Sequence, residues 1–292
     1  MEEVTDIIEI PLRHGKLNLM ELIRTGRQLK DKQYSQAYIL PRSLKSSLIP
    51  YFAGIPERIG FLGEYRYGLI NKLKPYNTTL LDQTIKRFTS LGASGSDSTP
   101  QIYRPRLQAD SERAHELLAS KRLKPTSPFI AIAPGAEYGP SKQWPADYFS
   151  KLAQSIIDAG LEVIMLGSKK DKATETVINR YYSGTKKPLS FIGELNLDDS
   201  IDLLSLAKAL VTNDSGLMHV GAALDVPIVA IYGSTSPKFT PPMARSYKIH
   251  WLDLDCSPCF QRECPLHHLE CLKGITPDNV FISLKELINL HS

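Results

Sequence analysis

No apolar run in this 292-residue chain approaches the roughly 18 residues that suggest a membrane-spanning helix. The opening Met1-Glu2-Glu3 has neither the basic start nor the apolar stretch of a secretory signal. Both absences point to a cytoplasmic protein. Basic runs interleaved with aromatics are also missing, which argues against a nucleic-acid partner. Cysteine is scarce: there are four, confined to one segment, and in a cytoplasmic protein disulfides are disfavoured. No internal repeat is evident. What is present is 42% hydrophobic and 23% charged, a globular composition long enough for two domains. Residues 1–75 hold twelve Lys and Arg against eight Asp and Glu, which accounts for the whole formal charge of +4. A mildly basic N-terminal face suits an acidic headgroup or phosphorylated glycan; the plain alternative is a solvated surface.

From about Pro128 onward, apolar runs alternate with helical patterns. The predicted strands are Phe129–Ala133, Leu161–Leu166, Leu189–Ile192, Ala209–Val211, Ile228–Tyr232 and Tyr247–Trp251. Between them, helices are predicted over Ala146–Ala159, Ala173–Tyr182, Leu197–Ala207 and Leu217–Leu224. Such a series builds a parallel sheet covered on both faces, an α/β class. Before residue 90 only Ile7–Ile10, Ala37–Leu40 and Arg58–Leu62 read as strands, with helices near Leu17–Lys30 and Leu44–Phe52. The small, polar stretch Ser90–Pro100 reads as a linker, and Ser111–Lys121 as a helix leading into the second domain. The expected domains are therefore 1–105 and 106–292.

Two strand-to-helix junctions carry the chemistry. In the first, Ala209-Leu210-Val211 runs into Thr212-Asn213-Asp214-Ser215-Gly216-Leu217-Met218-His219 and then a small-residue helix. Free N–H groups and the positive end of the helix dipole point out of such a turn, which places Ser215 and Gly216 to hold a diphosphate. Asp214 is the expected N-cap, and His219 lies one turn along from Ser215. In the second, the loop from Pro134 to Pro145 offers Gly135 for close backbone approach and Lys142 as a point charge, and it opens onto another helix. Taken singly, each is as well explained by a capped helix or a surface loop. Two at the ends of strands in one sheet fit the rule that ligands bind at the carboxyl ends of parallel strands.

The stretches Pro134–Pro145, Asn213–His219 and Tyr232–Pro242, with Ser43–Ser46, Phe52–Pro56 and Gly63–Leu69 upstream, resemble glycosyltransferase family 9, the lipopolysaccharide heptosyltransferases, and most closely their type II branch. The resemblance spans nearly the whole chain. It implies a GT-B arrangement of two facing Rossmann-like domains, an acceptor-side domain (1–105) and a nucleotide-sugar-binding domain (106–292). It also implies inverting transfer of heptose from ADP-L-glycero-D-manno-heptose to the first heptose of the lipopolysaccharide inner core, at the cytoplasmic face of the inner membrane. Heptosyltransferases I and III, or a nucleotide-sugar-binding remnant without turnover, are the alternatives. By the same resemblance, Gly135, Lys142, Ser215 and Gly216 contact the donor diphosphate, and Asp214 and His219 the donor sugar. Asp171 is placed to reach the ribose, although the family often has a glutamate where this chain has Lys169. Ser43, Lys45, Arg58 and Arg66 are the candidates for acceptor contacts.

Inverting transfer needs a base for the acceptor hydroxyl and a positive field for the departing diphosphate. Lys142, the Gly135 loop and the Ser215-Gly216 helix end meet the second need with no cofactor required. In the family, the first is met by an aspartate on a Gly-rich turn in an opening βα unit. This chain matches the family pattern from roughly two units inside it, so the acceptor-side domain is expected to be incomplete at its start, through a misplaced start or a true truncation. Asp6 and His14 have no preorganised surroundings in the sequence, and the base is left unassigned. The cysteines fall as Cys256-x2-Cys259-x4-Cys264-x6-Cys271 with His267 and His268 inside, which leaves two readings, free thiols or a structural zinc site on Cys256, Cys259, Cys264 and Cys271.

Overall fold

The computed structural model describes residues 4–10, 18–93, 101–123 and 128–289. Two compact units divide between Tyr103 and Arg104. The smaller contains α1 (Leu19–Lys30), β1 (Gln36–Ile39), α2 (Leu44–Phe52), β2 (Glu57–Phe61), β3 (Lys72–Lys74) and α3 (Thr84–Gly92). Its strands form a parallel sheet in the order β1-β2-β3, with Ala37 opposite Arg58 and Gly60 opposite Leu73. The expected strand at Ile7–Ile10 is not formed. Its apolar residues find no ladder partner among the described residues, and Ile7 is exposed. β3 and α3 were not legible in the sequence: Lys-Leu-Lys is three residues long, and α3 buries only Leu91. His14 and most of the Ser90–Pro100 stretch lie outside the described residues.

The larger unit runs α4 (Ser111–Ser120), β4 (Phe129–Ala133), α5 (Ala146–Asp158), β5 (Glu162–Met165), α6 (Lys172–Tyr181), β6 (Leu189–Ser190), α7 (Leu197–Ser205), β7 (Ala209–Asn213), α8 (Gly216–Ala223), β8 (Ile228–Ile231), β9 (Tyr247–His250), α9 (Glu270–Lys273) and α10 (Pro277–Leu287). Local chemistry sets many of these limits. Asp110 caps α4 by accepting from the amides of Glu112 and Arg113, and Asn196 caps α7 through the Asp199 amide. Thr276 caps α10, whose first residue is Pro277. α5 ends where Gly160, at φ 83°, turns the chain left-handed and lets the Leu161 amide reach back to the Ile156 carbonyl.

All six strands are parallel, in the order β6-β5-β4-β7-β8-β9. Side chains alternate across the sheet. Phe129, Ala131 and Ala133 of β4 pack with α4, α7 and α8, while Ile130 and Ile132 pack with α5, α6 and α10. β4, β7 and β8 are buried along their whole length, so they read as largely apolar runs. The order reverses at β4. The chain proceeds outward to β5 and β6, then crosses to β7 on the other side, so the carboxyl ends of β4 and β7 flank the crevice where ligands of such sheets bind.

A half-buried histidine is expected to make this unit acid-sensitive. His250, at the end of β9, has Nε2 3.1 Å from Ser283 Oγ on α10, and burial holds its pKa below the ordinary 6.5. The unfolded chain therefore takes up a proton near pH 6.5 while the folded one does not. Stability is full above that pH and declines as pH falls through it toward the folded-state value. Thermal unfolding followed from pH 7.5 to 5.5 is expected to show Tm falling less steeply in His250→Gln than in the parent; equal slopes would remove His250 from this role.

Candidate functional site

Asn213 ends β7 and joins the two junctions. Its Nδ2 donates to the Pro134 carbonyl at 2.8 Å, and its Oδ1 accepts from the Trp144 amide at 3.0 Å. One buried side chain thus closes both ends of the loop after β4 onto the loop after β7. Between those anchors, Gly139-Pro140-Ser141-Lys142 makes a tight turn that carries Lys142 to Asp214. Lys142 Nζ lies 2.6 Å from Asp214 Oδ2 and 5.0 Å above the Tyr138 ring.

Asp214 is not the N-cap of α8. That position belongs to Ser215, whose hydroxyl lies 3.2 Å from Thr212 Oγ1 and caps no amide. The Asp214 carboxylate turns away, is 6% exposed, and accepts 2.6 Å hydrogen bonds from both Lys142 and Thr235 on the same oxygen. A buried carboxylate needs such partners, which outweigh a capping bond available to water. Among the described residues the Gly216 and Leu217 amides find no acceptor, while the Met218 amide donates to the Ser215 carbonyl at 3.2 Å; Gly216 is open to solvent with nothing within 4 Å of a Cβ built there. His219 faces out along the same helix. The surrounding protein strips water from its imidazole and lowers its pKa; Asp214 opposes that shift and the Lys142 charge adds to it.

Beside Ser215 and Gly216 is a cleft of about 340 Å³, walled by Ala133, Leu166, Leu197, Leu217 and Val220 and rimmed by Glu137, Ser168 and Asp171. Its volume and apolar walls suit a planar heterocycle with polar groups at one edge. Asp171 is held there by the amide and hydroxyl of Ser168, at 2.8 and 2.9 Å. Gly135 has a steric role beside Asp171 as well. A Cβ at this position would lie 2.3 Å from Asp171 Oδ1, so glycine leaves room for that carboxylate. Lys169, where the family often has an acid, is exposed, while Glu137 enters from the opposite loop and pairs with Lys170. Glu137, Leu197 and Leu217 were missed in the sequence because each is an ordinary loop or helix residue until the sheet gathers them.

The four acceptor candidates separate. Arg66 is fully buried and donates to the carbonyls of Pro41, Ser43 and Phe61 at 2.8, 3.1 and 2.6 Å, so it fastens loops and presents no guanidinium to a ligand. Arg58 likewise donates to the carbonyls of Ile55, Leu69 and Gly68. Arg66 is thus a correction to the expected role, while Arg58 is half-buried and these three bonds leave part of its five-donor guanidinium unspent. Ser43 and Lys45, at the start of α2, make no side-chain hydrogen bond among the described residues.

Cys256, Cys259, Cys264 and Cys271 are free and face one small cavity with Ser141, Ser234 and His268. Among the described residues, no group of three or more His, Cys, Asp or Glu is arranged to hold a metal ion, so the zinc reading finds no support. Burial, followed by the neighbouring cysteines, pushes the Cys271 thiol up to about 11, which keeps it protonated at neutral pH. The segment instead packs against the loops around Lys142: Phe260 N donates to Ser234 O at 2.8 Å, and Ser257 Oγ to Gly233 O at 2.7 Å.

A profile of glycosyltransferase family 9 (heptosyltransferase) matches residues 22–270. The chain belongs to that family. It is 36% identical to lipopolysaccharide heptosyltransferase 2 of Escherichia coli K12, over 99% of this chain and 85% of the relative. Identity to lipopolysaccharide heptosyltransferase 1 of Pseudomonas aeruginosa is lower, 26% over 89% of this chain and 73% of that one. The solved structure of E. coli ADP-heptose LPS heptosyltransferase II superposes with a TM-score of 0.83 at 34% identity, covering 94% of this chain and 82% of that one. The family fold is thus GT-B with parallel α/β sheets, and the chain is a glycosyltransferase. No helix among the described residues is long and apolar enough to cross a membrane.

Proposed function

We propose that this family 9 enzyme moves heptose from ADP-L-glycero-D-manno-heptose to the first heptose of the lipopolysaccharide inner core, with inversion at the anomeric carbon. The observation that carries the reading is the Lys142–Asp214 pair set against the open N-terminus of α8 at the sheet's switch point, with an apolar cleft alongside. In this reading the adenine enters the cleft and the ribose meets Asp171. The diphosphate lies over Ser215 and Gly216, and the heptose hydroxyls face Asp214 and His219. Lys142 uses one of its three N–H donors on Asp214, which leaves two for phosphate oxygens. As the glycosidic phosphate bond breaks, charge grows on the diphosphate, where Lys142 and the helix dipole oppose it, so no resident cofactor is required. Gly135 lets backbone approach the diphosphate and also admits Asp171 on the ribose side. The base for the acceptor hydroxyl is unassigned. Asp6 is exposed and accepts from the Ile7 amide.

Ser43, Lys45 and Arg58 are proposed for the acceptor side. The basic excess of residues 1–75 favours peripheral contact with the anionic cytoplasmic face of the inner membrane. The test is transfer by the purified chain to lipopolysaccharide core truncated after its first heptose, followed by mass spectrometry. Addition of one heptose to this acceptor, and none to core lacking heptose, is expected. The opposite preference would favour the type I reaction, and ADP-heptose binding without product would support a donor-binding protein.

A further inference from the structure

The Tyr232–Pro242 motif has no role in the donor reading above, yet Thr235 reaches its centre. Thr235 is 7% exposed and its hydroxyl donates to Asp214 Oδ2 at 2.6 Å, the oxygen that also accepts from Lys142. Its loop is held firmly. Ser234 Oγ lies 2.9 Å from Ser141 Oγ, the Ser234 amide donates to the Ser141 carbonyl at 3.2 Å, and Ser141 is bonded in turn to the Gln261 carbonyl. Gly233 admits this contact, since a Cβ there would meet Ser141 O at 2.7 Å. On the other side, Tyr232 Oη donates to Thr240 O at 2.7 Å. The Thr235 hydroxyl is therefore delivered to Asp214 by a loop clamped to the residue that precedes Lys142.

We infer that Thr235 is a positioning residue for donor diphosphate binding, acting through Asp214 on Lys142. A carboxylate oxygen shared between a neutral hydroxyl and an ammonium draws less on the ammonium than one bonded to it alone. Thr235 also fixes the carboxylate's rotation, and with it the point from which Lys142 projects its remaining donors. Without the hydroxyl, Asp214 closes on Lys142 and competes with phosphate for it. Nothing in this requires Thr235 to touch the donor.

The inference rests on the donor-site reading, and a double-mutant cycle on ADP affinity separates the two. By calorimetry, Thr235→Val is expected to weaken ADP on the order of tenfold, with Thr235→Ser close to the parent because it keeps the hydroxyl. In a Lys142→Met background, Thr235→Val should cause no further loss. In steady-state assays the donor KM should rise while the acceptor KM stays unchanged. An equal loss from Thr235→Val in both backgrounds, or no rescue by serine, overturns the inference alone. Unchanged ADP affinity in Lys142→Met overturns the donor-site reading and the inference with it.

Discussion

Replacing Lys142 with methionine is expected to lower kcat/KM for the sugar nucleotide by about 10²- to 10³-fold, the scale on which removal of one preorganised group facing a developing anion is felt. Methionine keeps the length and apolar stem of lysine, so the contact with the Tyr138 ring survives while the charge is lost. Two effects need separating. Asp214 is nearly buried, and losing its cation leaves only the Thr235 hydroxyl on that oxygen, which destabilises the fold by as much as ~3 kcal/mol. Adding Asp214→Asn removes the stranded charge and should recover stability without recovering transfer. A single variant that retains parental kcat/KM would exclude Lys142 from leaving-group stabilisation. A double variant that regains activity would show that the defect was one of folding.

The second large effect is structural. Trp144 is 1% exposed and packs edge-on against Phe149, with ring centroids 4.9 Å apart. Its Nε1 donates to the Ile275 carbonyl at 2.9 Å, and its amide to Asn213. Trp144→Ala is expected to cost about 3–5 kcal/mol, because the cavity and the orphaned carbonyl add to the lost burial. For a unit of this size, that lowers Tm by roughly 6–20 °C. Trp144→Phe, which fills most of the volume but lacks the N–H, should lose about a third as much. Urea unfolding of the three proteins measures this; a loss below ~1 kcal/mol in Trp144→Ala would mean that the loop refills the space.

Asp214 and Thr235 show where sequence reading stopped. The strand–turn–helix pattern at Ala209–Ala223 predicts a capped helix, and an aspartate before it is the natural cap by local rules. Asp214 departs from those rules because Lys142, 72 positions away, and Thr235, 21 away, solvate its carboxylate better than a backbone amide would. Arg66 fails for the same kind of reason: a cation near a motif looks available until the carbonyls that consume it are brought alongside. Ile7–Ile10 carries strand composition but has no neighbour to pair with among the described residues.

The sequence by itself determined the alternation of apolar strands and helices, their parallel packing, the family, and the two loops that hold Lys142 and Ser215. Those follow from short-range periodicity and turn chemistry, which each segment carries with it. Only the tertiary structure decided which polar groups are used up holding the fold and which are left to face a ligand. Hydrogen-bond partners of a buried group come from wherever the chain returns, and the crossover from β4 to β7 brings Lys142, Asp214 and Thr235 to one point.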